Sequence, residues 1–136
     1  MLGTQENARR AVLRELPLLG EGTGRQVYHI PGDDVVYKVE WYNGNAANNA
    51  EYSKWSRLQG FDTPERLGIP DMYQRDIDGI VVNVMTYIEG EPYCFGYDDD
   101  DVELCNWLYA NRLSDIHSRN VIKDNDGTIW IIDLEI

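Results

Sequence analysis

Residues 19–39 read LGEGTGRQVYHIPGDDVVYKV, and the fold turns on how this stretch is divided. Glycines at 20, 22 and 24 separate two runs with strand character, and in the second of these Val27 and Ile30 flank the polar His29. Pro31-Gly32-Asp33-Asp34 is a turn, and the VVYKVEWY that follows is a β-branched and aromatic run typical of a strand. The stretch therefore reads as strand, glycine-rich turn, strand, turn, strand. Glycines in such a turn let backbone N–H groups approach an anion with no Cβ in the way, although many glycine-rich turns only connect strands. Lys38, between Tyr37 and Val39, is either an outward residue of a half-buried strand or a charge held for a purpose.

Outward from this core, Thr4 is placed to cap a helix through ENARRAVLREL, with Ala8, Ala11, Val12 and Leu16 on one face and Pro17 as its stop. On the other side, the polar NGNAANN leads into a helix over ANNAEYSKWSRLQ, where Ala47, Ala50, Trp55 and Leu58 fall at helical spacing. Glu51 lies on that helix, placed to pair with Lys38. FDTPERLGIPD is a loop, and MYQRDIDGIVVNVMTYIEG gives two strands around Asp78-Gly79. The run Asp98 to Asp101 opens a helix carrying Val102, Cys105, Leu108, Tyr109 and Leu113. Acidic residues at a helix start complement its dipole, so capping and solvation compete there with a metal or partner site.

The chain closes with NVIKDNDGTIWIID, a hairpin turning at Asp126-Gly127. Asp115 and Asn120 lie on the loop before it, where a carboxylate can face a hydroxyl while an amide oxygen holds a cation. Asp133 ends an apolar strand, and an unpaired buried charge is costly, so a bound Mg²⁺ would supply its partner. Taken singly, these residues also read as a turn-forming Asp115, a capping Asn120 and a surface Asp133.

At 136 residues and 43% apolar content, the chain is long enough for one globular domain with a real core. No stretch has the apolar length of a membrane span, and MLGTQENARR lacks the apolar centre of a signal peptide. Two cysteines, Cys94 and Cys105, with His29 and His117, make neither a disulfide framework nor a zinc site, and a reducing cytoplasm is expected. The net charge of −12 opposes direct nucleic-acid binding, which rewards Lys and Arg. It leaves metal-bound substrates, basic protein partners, simple solubility or imitation of DNA.

Together these segments resemble the protein-kinase-like superfamily, which includes protein kinases and small-molecule kinases such as aminoglycoside phosphotransferases. LGEGTGRQVY resembles the glycine-rich loop, with Gly20, Gly22 and Gly24 and with Val27 at the loop's valine. Lys38 of VVYKV resembles the phosphate-binding lysine and Glu51 of NNAEYSKW its helix partner. MTYIEGEPY looks like the hinge that grips adenine, through Thr86, Tyr87, Ile88 and Glu89. SDIHSRN resembles the catalytic loop in its small-molecule-kinase form, with Asp115 as base and Asn120 as magnesium ligand. IIDLE resembles the metal-binding triplet, with Asp133 as second magnesium ligand. Short kinase-like proteins of tailed bacteriophages are similar in their glycine-loop and N-x-x-E-Y segments, which implies a host cytoplasm.

The resemblance implies an α+β fold. Residues 1–90 would be a kinase-like N-lobe, an antiparallel five-stranded sheet plus helix, with its hinge. Residues 91–136 would be a truncated C-lobe of helix, catalytic loop and hairpin. It also implies ATP and Mg²⁺ as ligands, and phosphotransfer to a protein or small-molecule hydroxyl. Four departures stand beside it. Gly24 falls one position early, with Arg25 where the third glycine belongs. Leu113 stands where the family has histidine. Asp133-Leu134-Glu135 loses a glycine and adds a carboxylate. Finally, the sequence stops at Ile136, which implies an apolar surface around Ile131, Leu134 and Ile136 covered in a homodimer. The competing expectations are an inactive kinase-derived protein that binds a host protein through its acidic surface, and an acidic DNA mimic.

Overall fold

The computed structural model describes residues 4–22, 24–41, 46–113 and 120–134, the side chains of Thr4 and Gly22 excepted. In chain order the elements are α1 (Thr4–Val12), β1 (Leu18–Gly22), β2 (Arg25–Tyr28), β3 (Val35–Val39), α2 (Ala46–Leu58), β4 (Leu67–Gly68), β5 (Met72–Ile77), β6 (Ile80–Thr86), β7 (Glu91–Pro92), α3 (Asp99–Ala110), β8 (Val121–Lys123) and β9 (Ile129–Ile131). Among the described residues this is an α+β fold with three helices and a five-stranded antiparallel sheet ordered β1-β2-β3-β6-β5. A second, four-stranded sheet runs β4-β9-β8-β7. None of the described helices is long and apolar enough to cross a membrane.

The chain divides into two compact units, one of residues up to Ser53 with Asp71–Tyr87, the other of Lys54–Pro70 with Ile88–Leu134. Residues 54–70 group with the later elements rather than with the strands that flank them in sequence. The reason is β4, which pairs in parallel with β9 through Leu67↔Ile129 and Gly68↔Trp130.

In the first unit, strand alternation sorts the sheet into two faces. Tyr37 and Val39 of β3 and Val82 and Val84 of β6 point to one side, where they pack with Ala8, Ala11, Leu16, Tyr28 and Ile77. The first helix is shorter than its periodicity predicts and ends at Val12 rather than running to Leu16. Two features account for this. The Trp41 indole donates to the Val12 carbonyl at 2.9 Å, taking a group that a further turn would use. Arg14 then enters the left-handed region at φ 61°, its guanidinium 4.3 Å from the centre of the Trp41 ring. Leu16 still reaches the core, through the turn and not along a helix face.

The buried stripe of α2 also differs from expectation. Ala50 is exposed, and the residues facing inward are Asn48, Glu51, Trp55 and Leu58, spaced by three and four. Polar side chains occupy an inward face only when their bonds are met.

In the second unit, Leu58, Leu67, Leu104, Leu108, Leu113, Val121, Ile129, Ile131 and Leu134 form the core. Of the residues expected along α3, Val102, Cys105 and Tyr109 are exposed, whereas Leu104 and Leu108 are buried and Leu113 follows the helix end at Ala110. Ile131 and Leu134 are 1% exposed, so these two residues present no apolar surface, contrary to expectation; Ile136 lies outside the described residues. Gly90 marks a close approach, since a Cβ there would run into the Lys123 carbonyl oxygen.

Candidate functional site

The register of the first sheet brings one row of residues side by side. Gly20 pairs with Val27, Val27 with Lys38, Lys38 with Asn83, and Asn83 with Gln74. Alternation places Arg25 on the same face as Val27, two residues away. This is the face opposite the Tyr37–Val84 core, and α2 lays Asn48 and Glu51 across it. Lys38 is only 3% exposed, which excludes the reading of an outward-facing strand lysine.

Glu51 is the centre of the arrangement. Its Oε2 accepts from the Lys38 ammonium at 2.8 Å and its Oε1 from Arg25 Nη1 at 2.9 Å. Asn83 Nδ2 is a second donor to Oε1 at 3.2 Å, and Arg25 Nη2 lies 3.5 Å from Oε2. Arg25 Nη1 also donates to Asn48 Oδ1 at 3.0 Å. Burying these charges carries a desolvation penalty of several kcal/mol per ion unless the geometry is good and the remaining bonds are met. Here they are met: among the described residues no buried side-chain nitrogen or oxygen lacks a hydrogen-bond partner.

The same network fastens α2 to the sheet. Asn48 Nδ2 donates to the carbonyls of Lys38 and Val81 at 2.9 and 2.8 Å. The Asn48 carbonyl accepts from Asn83 Nδ2 at 3.0 Å. At the helix start, buried Glu40 accepts from the N–H groups of Ala47 and Asn48 through Oε2, a negative charge where the helix dipole is positive.

Of the predicted glycines, Gly20 and Gly22 lie in β1, and Gly24 forms the turn at φ 78°. The turn's demand for a left-handed residue is met at 24, and Arg25 is an ordinary strand residue paired with Gly22. Nothing lies within 4 Å of where a Gly20 Cβ would stand, so the fold itself does not require glycine there. In the 86–89 segment, the Thr86 and Tyr87 N–H groups donate to the carbonyls of Asp71 and Asp34, and the Tyr87 ring stacks on His29 at 3.9 Å. The N–H donors of Thr86 and Tyr87 are thus engaged within the fold.

In the second unit, Asn120 is buried and its carbonyl accepts from Ile132 N–H at 2.8 Å, extending the β8–β9 ladder by one pair. Asn120 and Asp133 therefore stand at the same end of the hairpin. Asp115 lies outside the described residues. The hairpin's other end is closed by Asp124, whose carboxylate accepts from Asp126 N–H, Thr128 N–H and the Trp130 indole.

The aspartate run has structural duties. Asp98 caps α3 by accepting from Asp101 N–H at 2.8 Å. Asp101, 1% exposed, accepts from the Tyr93 hydroxyl and the Gly96 N–H, and Asp100 lies 3.4 Å from Arg66. Burial pushes the Asp101 carboxyl up, but the Gly96 and Tyr93 bonds with the Arg66 and Lys123 charges outweigh it and hold it below the ordinary range. Among the described residues no three His, Cys, Asp or Glu side chains gather as a metal site.

Sequence reasoning picked out Lys38 and Glu51 and missed Arg25, Asn48 and Asn83. The signals were present. Asn48 and Glu51 are three residues apart on one helix face, and Asn83 interrupts the apolar strand IVVNVMT at an inward position. Comparison with protein-family models and with curated proteins finds no match to this chain.

Proposed function

We propose that the chain is a kinase-like protein that binds Mg-ATP and transfers its terminal phosphoryl group to an acceptor hydroxyl. The observation that supports this best is the buried Lys38–Glu51 ion pair beside a glycine-rich hairpin. In this reading Glu51 aims the Lys38 ammonium at the nucleotide phosphates, and Gly20, Gly22 and Gly24 let the backbone come close to them. Carbonyls of Thr86 and Tyr87, with Ile88 and Glu89, hold the base. Asp115 accepts the proton of the acceptor hydroxyl as its oxygen bonds the terminal phosphorus and ADP leaves. Asn120 and Asp133 lie at one end of a hairpin, and an amide oxygen and a carboxylate are hard oxygen donors that suit magnesium. Bound magnesium would neutralise charge that builds on the phosphate oxygens.

Calorimetric titration of the full chain with Mg-ATP tests the proposal. Saturable binding is expected, weakened at least about tenfold by Lys38→Ala and by Asp133→Asn. With binding in place, Asp115→Asn abolishes turnover and leaves affinity intact. No heat at millimolar nucleotide overturns the proposal and turns attention to protein partners of the acidic surface.

A further inference from the structure

Arg25 stands where the glycine-loop pattern has its third glycine, yet it is 4% exposed and one of its nitrogens bonds both Glu51 and Asn48. Gly24 already supplies the turn's positive φ, so position 25 is free to carry a side chain. We propose that Arg25 is a positioning residue for the Lys38 ammonium. From the foot of the glycine turn it clamps the Glu51 carboxylate and the Asn48 amide together. The Lys38–Glu51 pair then belongs to the folded sheet-and-helix unit and forms with no activating step.

The chemistry favours this assignment. Glu51 offers two oxygens to two cations, and a carboxylate free to rotate would exchange them. Arg25 Nη1 and Asn83 Nδ2 both engage Oε1, which leaves Oε2 turned towards Lys38 Nζ. Because Asn48 and Glu51 are three residues apart, the one guanidinium also fixes the rotation of α2 about its axis. The planar fork matters here, since a lysine offers one compact charge in its place. The functional consequence rests on the nucleotide reading above, whereas the clamp itself does not.

The test is side-chain NMR of the full chain, reading the Lys38 ammonium ¹H–¹⁵N signal and the amide protection of residues 48–51. The variants are Arg25→Met and Arg25→Lys, with no nucleotide present. Wild-type protein is expected to show a slowly exchanging Lys38 signal. Arg25→Met should speed its exchange, and that of the 48–51 amides, at least about tenfold. Arg25→Lys keeps the charge and should not restore either. Wild-type behaviour in Arg25→Lys would overturn the clamp, showing that charge alone suffices, and this variant decides the matter if Arg25→Met fails to fold. An unchanged Lys38 signal in Arg25→Met would overturn it equally. Mg-ATP affinity of Arg25→Lys, measured alongside, should fall about tenfold. A wild-type protein that binds no nucleotide but whose Lys38 signal still depends on Arg25 would sustain the clamp and remove the kinase reading.

Discussion

Glu51 carries more of the argument than any other side chain, because two buried cations converge on it. Removing one partner of a buried ion pair leaves an uncompensated charge, at a cost of about 3–5 kcal/mol. Glu51→Ala should therefore lower the unfolding free energy by about that amount in a urea titration. Gly20→Ala offers the opposite case. Its Cβ would enter open space, so stability should stay within about 1 kcal/mol of wild type. Its Mg-ATP affinity should nevertheless fall, because the added methyl stands where a phosphate would approach. A Gly20→Ala variant that binds as tightly as wild type would remove the glycine turn from the site. Lys38 and Glu51 were legible in the sequence because Glu51 falls on a helix placed to pair with the strand lysine, and the two together fit the kinase-like pattern. Arg25 was not, because a pattern match registers a missing glycine and says nothing of what the replacement reaches.

Strands were easier to read than helix faces. The β-branched runs and the turns at Asp78-Gly79 and Asp126-Gly127 locate both hairpins, since period-two alternation and turn chemistry are local properties. Helix faces depend on partners far away in sequence. In α2 the inward side belongs to Asn48 and Glu51, whose bonds come from β2, β3 and β6, so apolar spacing pointed to Ala50 instead. The end of α1 was hidden for a similar reason, as the Trp41 indole that terminates it lies 29 residues on.

The start of α3 makes a pH prediction. Asp101 and Asp124 both have carboxyls held below the usual range; for Asp124 the Trp130 indole bond is the main cause. A depressed folded-state pKa means that the contribution is complete above the unfolded value of about 3.9 and is lost as pH falls through the lower folded value. Stability should hold down to about pH 4 and then decline, with the Trp130 indole proton signal reporting the loss at the hairpin. Asp101→Asn should cost about 1–3 kcal/mol at neutral pH and flatten the acid decline. Charge reversal at Asp99 should cost only about 0.5–1 kcal/mol, through the helix dipole, because that residue is exposed. A decline as steep in Asp101→Asn as in wild type would show that other carboxylates set the acid limit.

For the molecule as a whole, a net charge of −12 keeps polyanions away unless a local arrangement offers cations and close backbone. The first unit contains one such arrangement, the glycine hairpin with Arg25 and Lys38 on the adjoining face. In the second unit, Asn120 and Asp133 stand at one end of a hairpin. A backbone ¹H–¹⁵N titration of the full chain with Mg-ATP sets this account against its alternatives. Saturable shifts centred on residues 20–25, Lys38 and the Asn120–Asp133 end of the hairpin are the predicted result. Shifts confined to the acidic start of α3, or none at millimolar nucleotide, would contradict it.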